Sequence, residues 1–566
     1  MNPVQQLLTE NIGLWTGADT AKKSGRGRAS GSAGTVYGIK KLRELILELA
    51  VRGKLVPQDA NDESAGALLE RIGEEKARLV LDGKIKKSNS IAEIASDEKP
   101  FALPLQWEWV RFGAIYSLEY GDNLPAEKRS NSGEYPVYGS NGIVGSHNIS
   151  FVKSPCIVVG RKGSAGALNL SLCAGCCVTD VAYYCIPPKC LDLIFSFKLF
   201  HSLGLDHLGK GIKPGLSRND VYELLIAIPP IAEQHRIVAK VDELMALCDQ
   251  LEAGHVDAVD AHEKLVSHLL TTLTASHDSA DFSASWQRIA AHFDMLFTTE
   301  SSIDALKQTL LQLAVMGKLV PQDLADGPAS TLLVRIQAEK ARLVFEGKIK
   351  KGKPLAAISD DEKPFALPLG WEWIRLNNLL KKIGAGSTPL GGKQVYVDDG
   401  IPFLRSQNVW DEGLRLDDVV FILPETHDKM SGTHVCAGDL LFNITGASIG
   451  RCAIVPESFE TGNVSQHVTI VRPISNEILQ FLHLVLMSRH VQKMVMDVQV
   501  GVSREGLSIG KFGQFIIPFP PLDEQHRIVA KVNELMALCD RMKTRIVDAS
   551  ALQRKLADVM VAQAVA

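Results

Sequence analysis

The sequence predicts an α+β protein. Two strand-rich domains are joined by long helices, which form an antiparallel coiled-coil pair with pseudo-twofold symmetry. Three observations predict it. EQHRIVAKVDELMALCD (233–249) returns as EQHRIVAKVNELMALCD (524–540), changed only at Asp242/Asn533. LRELILELAVRGKLVPQ (42–58), EEKARLVLDGKIKK (74–87) and DEKPFALPLQWEWVR (97–111) return at a constant offset of 264, as LKQTLLQLAVMGKLVPQ, AEKARLVFEGKIKK and DEKPFALPLGWEWIR. Between these flanks lie middles that do not match. The offset grows from 264 to 291 across the second middle, so that middle is longer by 27 residues. Each middle has the size of an independent domain, and the period is far too long for a solenoid.

Taken in order, residues 1–40 form an N-terminal segment. Its stretch 17–36 is Gly/Ser/Ala-rich with four basic residues, the composition of a flexible linker. NIGLWT near the start faintly echoes HFDMLFT (292–298). Residues 41–100 are a helical region, whose first helix stops at Gly53 before Pro57. Lys84, Lys86 and Lys87, with their counterparts Lys348, Lys350 and Lys351, read as solvated helix ends or as phosphate contacts. Residues 101–230 are the first strand-rich domain, with EYPVYGSNGIVGSHN, PCIVVGRKGSAGAL and DVAYYCIPP alternating between β-branched or aromatic runs and turn signals. Residues 231–364 are a central helical region and 365–521 the second strand-rich domain, carrying GIPFLRSQNVW, GDLLFNITGASIG and HVTIVRP. Residues 522–566 are a final helix. Ile237, Val241, Leu244, Cys248 and Leu251 fall at 4-3-4-3 spacing, as do Ile528, Val532, Leu535, Cys539 and Met542. That spacing makes an a/d seam, which needs a partner. Two near-copies in one chain predict that the helices pair with each other.

Composition narrows the function. Hydrophobic residues are 46% and charged residues 22%, and the net charge is −4. This is not a globally basic nucleic-acid binder, so any such contact comes from local patches or with a partner's help. No apolar run is long enough for a bilayer, and the start lacks the order of a secretory signal, so a cytoplasmic location is expected. The cluster Cys156, Cys173, Cys176, Cys177, Cys185 and Cys190 contains one C-x-x-C. The second half has no counterpart, and reduced, buried thiols are expected rather than a metal. No N-P-P-Y, D-P-P-F or H-E-x-x-H occurs. The nearest phosphate loop, Gly204 to Lys210, is followed by Gly211 where Ser or Thr belongs. No catalytic site and no cofactor of the chain's own are expected.

The middles instead offer polar residues on Gly-rich turns. In the first these are Tyr138, Ser140, Asn141, Arg161, Lys162, Ser164, Lys210, Lys213, Ser217 and Arg218. In the second they are Ser387, Thr388, Arg405, Gln407, Asn408, Asn443, Thr445, Ser448, Arg451, Gln466, His467 and Arg504. Arg and Lys suit guanine, Asn and Gln suit adenine, and Ser, Thr and glycine-flanked amides suit phosphate oxygens. They are the candidate DNA contacts.

Two divergent domains, each closed by a Pro-Pro-x-x-EQ-x-x-I-V helix (IPPIAEQHRIVAKVDELMALCD at 228–249, FPPLDEQHRIVAKVNELMALCD at 519–540), resemble the specificity (S, HsdS) subunit of type I restriction–modification systems. YPVYGSNGIVG, GRKGSAGAL and VTDVAYY look like one type of target-recognition domain, and IPFLRSQNV, GDLLFNITGASIGRCAIV and NVSQHV like another. YGIKKLRELILELAVRGKLVPQ resembles the IB subtype. The resemblance implies a non-catalytic subunit that reads a bipartite, asymmetric DNA target, one half per domain. It implies two adenine-methylating M subunits carrying S-adenosylmethionine, and two restriction R subunits using ATP and Mg2+ to cleave. It also implies that the paired helices act as a spacer, ~37 Å for a helix of about 25 residues. The rival readings are a self-sufficient nuclease or methyltransferase, which the missing motifs oppose, and a coiled-coil adaptor that never touches DNA.

Overall fold

The structure, a computed structural model, describes residues 10–17, 36–82, 93–211, 215–276, 278–352, 354–499 and 506–565. The greater part of the Gly/Ser-rich stretch, and Lys84, Lys86 and Lys87, lie outside these residues. Met1–Val259 with Asp548–Ala566 form one compact unit, and Asp260–Val547 forms the other. Among the described residues no helix is long and apolar enough to cross a membrane.

Two helices dominate, Ile231–Ala275 with 45 residues and Leu522–Val565 with 44. Each begins directly after a Pro-Pro pair, where proline's missing N–H is harmless. The first outruns the 25 or so residues expected of a spacer helix, whereas the second falls within 522–566, where a final helix is expected. The first contains a single glycine, Gly254, and no proline, so nothing stops it before the polar break at 276–278. At 1.5 Å per residue each spans ~67 Å. Each unit contains the first part of one long helix and the last part of the other, as an antiparallel pair requires. In the first unit Ile237, Val241, Leu244 and Cys248 are buried in one core with Leu42, Leu45 and Ile46 of the helix Tyr37–Val51 and with Ala557; Leu251 packs at its margin. In the second unit Ile528 and Val532 are buried in the main core. Cys539, with Leu535 and Met542 alongside, packs with Leu270, Leu273 and Leu310.

The repeated segments hold one another. Glu233 is buried and accepts hydrogen bonds from Gln58 Nε2 at 2.7 Å and Trp107 Nε1 at 2.9 Å. Glu524 does the same with Gln322 at 2.7 Å and Trp371 at 2.8 Å. Burial raises both carboxyls above the ordinary glutamate value, against the lowering effect of these donors. Arg236 pairs with Asp62 and Arg527 with Asp326, each at 2.6 Å. Lys76 donates to the carbonyls of Gly113 and Ala114, and its counterpart Lys340 to that of Asn377. Gly53 and Gly317 sit at φ +67° and +69°, and a Cβ at either would collide with Pro104 or Pro368. KLVPQ, PLxWEW and PPxxEQHR therefore form one interlocked joint, built twice.

Each joint carries its strand-rich domain on an antiparallel strand pair. Glu108–Arg111 pairs with Leu225–Ile228, and Glu372–Arg375 with Ile516–Phe519. The first domain has a four-stranded sheet ordered Glu119–Tyr120, Ala182–Cys185, Cys156–Gly160, Leu168–Ser171. Beside it in the chain is a three-stranded sheet in which Tyr135–Gly139 runs antiparallel to Gly142–His147 and parallel to Cys177–Val178. The second domain repeats the plan with a four-stranded antiparallel sheet and a five-stranded sheet, where Ile401–Leu404 pairs in parallel with Gly462–Val464. Cys156, Cys176, Cys177 and Cys185 are buried free thiols, and Cys173 is an exposed one. Cys156 and Cys176 lie 3.7 Å apart, sulfur to sulfur.

Candidate nucleic-acid interface

In the first domain the hairpin turn after Tyr135–Gly139 meets the loop after Cys156–Gly160. Ser140 Oγ donates to the Ser164 carbonyl at 3.3 Å and accepts from the Ser164 N–H at 3.2 Å. Asn141 and Lys162 stand exposed beside them. Arg161 is half-buried. Its guanidinium donates to the Asp180 carbonyl at 2.9 Å and lies 4.8 Å from the centre of the Tyr120 ring. A second arginine, Arg218, lies 5.1 Å from the same ring and donates to the Leu118 carbonyl at 3.3 Å. Ser217 caps the short helix Arg218–Tyr222 by accepting the Asp220 N–H. The bond from Leu216 N–H to the Arg161 carbonyl brings the two arginine segments together. Lys210 pairs with Asp220 at 2.6 Å, and Lys162 lies 3.8 Å from Asp180. Burial, then the neighbouring Tyr120, raise the Tyr183 hydroxyl at the back of this cluster.

The second domain builds a comparable cluster from other residues. Arg405 donates to the Asp418 carbonyl at 2.7 Å, and the Asp418 carboxylate receives Gln407 and Asn408. Asn443 donates to the Ser406 carbonyl at 2.9 Å, which binds this loop to the one carrying Thr445, Ser448 and Arg451. Trp410 lies between them, its N–H engaged by the Gln407 carbonyl. The guanidinium of Arg415 is 3.6 Å from the Trp410 ring centre, and that of Arg451 is 3.7 Å. Thr445 shares a 2.7 Å hydrogen bond with His467 Nδ1, and the exposed Gln466 is adjacent. Ser387 and Thr388 are exposed, and the Ser387 N–H is held by the Val464 carbonyl.

The structure thus gathers Ser140, Asn141, Arg161, Lys162, Ser164, Ser217 and Arg218 in one place. In the other domain it gathers Arg405, Gln407, Arg451, Thr445 and His467 on connected turns. Tyr138, Asn408 and Asn443 are buried and serve the turns themselves. Tyr138 accepts two bonds from Thr179 at its carbonyl. Asn408 bridges Arg405, Arg415 and Asp418. Lys213 and Arg504 lie outside the described residues. The sequence reading missed Tyr120, Trp410, Arg415 and Asp418. The one signal available was an aromatic residue inside a polar run, as in RSQNVWDEGLR (405–415). Among the described residues no group of three or more His, Cys, Asp or Glu is placed to hold a metal ion.

Two different basic, aromatic-backed turn clusters on one duplicated frame define a double-headed binding protein. The family model "Type I restriction modification DNA specificity domain" matches residues 104–260 and 368–548. The specificity subunit of the type I restriction enzyme EcoAI from Escherichia coli is 37% identical, over 98% of this chain and 99% of its own. That of EcoEI, also from Escherichia coli, is 35% identical over the same shares. A solved chain from work on complex assembly and conformational transition of the type I R-M system aligns with a TM-score of 0.45 and 17% identity, over 82% of this chain and 99% of its own. The chain belongs to the family of type I restriction–modification DNA specificity subunits.

Proposed function

We propose that this chain, of the IB-like subtype, reads a bipartite, asymmetric DNA target. Residues 101–230 read one half and residues 365–521 the other. The observation that carries this is the contrast between the heads and the joints: two chemically different turn clusters stand on two nearly identical, interlocked supports. Identical supports suit identical partners, and different heads suit different half-sites. Specificity then rests on a few base contacts, each mismatch costing ~1–3 kcal/mol.

Two methyltransferase subunits dock on the duplicated frame, and two restriction subunits join them. S-adenosylmethionine, ATP and Mg2+ enter through those partners; this chain is itself non-catalytic, and the complex works in the cytoplasm. Much of the repeat's identity is explained internally by Glu233, Arg236, Lys76 and their counterparts. What remains identical and exposed includes Leu105/Leu369, His235/His526 and Leu247/Leu538. These pairs form the docking surface. The paired helices set the spacing between half-sites.

The test is the methylome of a methylation-free host expressing this chain with its neighbouring methyltransferase subunit. One bipartite motif with N6-methyladenine in each half, absent when this chain is omitted, is expected. Methylation without this chain, or none while both proteins associate, would overturn the reading in favour of the adaptor.

A further inference from the structure

The two heads share almost no sequence, yet both place two arginines against one aromatic ring: Arg161 and Arg218 about Tyr120, and Arg415 and Arg451 about Trp410. We infer that each recognition domain carries an arginine–aromatic–arginine clamp that grips the phosphate backbone of DNA and does not read bases. This rests on the DNA-reading role proposed above and assigns one part of it.

The geometry favours phosphate. At 3.6 and 3.7 Å from the Trp410 centre, two guanidiniums cannot share one face of the ring, so they lie on opposite faces, about 7 Å apart. Stacking fixes the guanidinium planes and leaves their N–H edges directed outward. Among the described residues Arg415 and Arg451 have no side-chain hydrogen bond to an acceptor. The nearest counter-charge to Arg415 is Glu412 at 3.8 Å. Fixed guanidinium forks with free donors match phosphate oxygens. In the first head the backbone bonds to Asp180 and Leu118 hold the arginines in place, and Tyr120 is 49% exposed, so the ring is open to a ligand. The decisive point is the recurrence. A device common to two heads of different specificity cannot encode what distinguishes their targets. It suits the feature that both half-sites share, the charged backbone. It also answers how a chain of net charge −4 holds a polyanion.

The experiment measures DNA affinity against salt for the full-length chain assembled with its methyltransferase subunits, on duplexes with and without the methylated motif. Arg415→Ala and Arg451→Ala are each expected to flatten the plot of log affinity against log salt by about 0.9, the contribution of one phosphate contact. Affinity for matched and mismatched duplexes should fall by the same factor, and the methylated motif should not change. Arg161→Ala and Arg218→Ala should do likewise. If loss of their backbone bonds unfolds the first domain, the second-domain pair decides the matter, since those side chains hold no carbonyl. Trp410→Leu should weaken binding to all duplexes alike, with Trp410→Phe restoring it. An unchanged salt slope overturns the clamp, and so does relaxed discrimination at one base position. A wild-type complex that prefers no duplex overturns the DNA-reading role itself, a different result from a wild type that reads its motif while all four variants keep its slope.

Discussion

Replacing Glu233 with alanine tests whether the repeated segments are joints. The substitution removes the acceptor of two hydrogen bonds. Trp107 Nε1 is then orphaned in a site where the residue is 4% exposed, at ~1–3 kcal/mol. Gln58 lies nearer solvent and recovers water, so its loss is under ~1 kcal/mol. Removing a carboxylate that burial already disfavours offsets part of this. The net cost is about 2 kcal/mol. A chain of this size does not unfold in one step, so the assay is amide hydrogen exchange. The strand Leu225–Ile228 should exchange roughly 30-fold faster through local opening. Glu524→Ala should do the same to Ile516–Phe519. Glu233→Gln adds a pH signature. A carboxyl raised in the folded state contributes stability below its unfolded value, and that stability is lost as pH rises through the folded value. In the glutamine variant this loss should vanish. Acceleration under threefold in both alanine variants would refute the interlock.

Other expectations concern modularity, geometry and charge. Exchanging residues 107–228 for another system's equivalent should change one half of the methylated motif only, read by methylome sequencing; change in both halves would end the modular reading. Inserting two helical turns after Leu251 should lengthen the spacer between half-sites in the same assay, and an unchanged spacer would rule out the helix as a ruler. Burial lowers Lys76 to about 8, so between that value and the ordinary lysine value the unfolded chain binds more protons and stability rises with pH. Lys76→Met should abolish that rise in the first unit's thermal melting.

The long helices and the duplicated frame were legible because a helix leaves its period in the sequence and a duplication leaves a constant offset. Ile237, Val241, Leu244 and Cys248 needed only counting. Helix length was less legible. Its end depends on a stop signal, and residues 252–275 contain only weak ones. The joint was half visible: the sequence showed that Gln58, Trp107 and Glu233 recur but not that they meet, because no spacing rule links residues from three separate segments. The arginine clamps were hidden for the same reason. Tyr120, Arg161 and Arg218 come from three separate segments: a strand, a loop and the start of a short helix. Asn443 looked like a base reader because burial, which assigns it to the turn, cannot be read from its type.

The strand pairs at the base of each domain have one more consequence. Because Arg111 lies opposite Leu225, and Arg375 opposite Ile516, each recognition domain leaves and rejoins the frame at a single point. To the rest of the chain it is a closed loop whose ends are already fastened. The closing entropy of such a loop grows only with the logarithm of its length, so the 27 additional residues of the second domain add about 0.2 kcal/mol. The frame is nearly indifferent to the size of what it carries. A lineage could therefore lengthen, shorten or replace a whole head in a single genetic event and inherit a working joint with it.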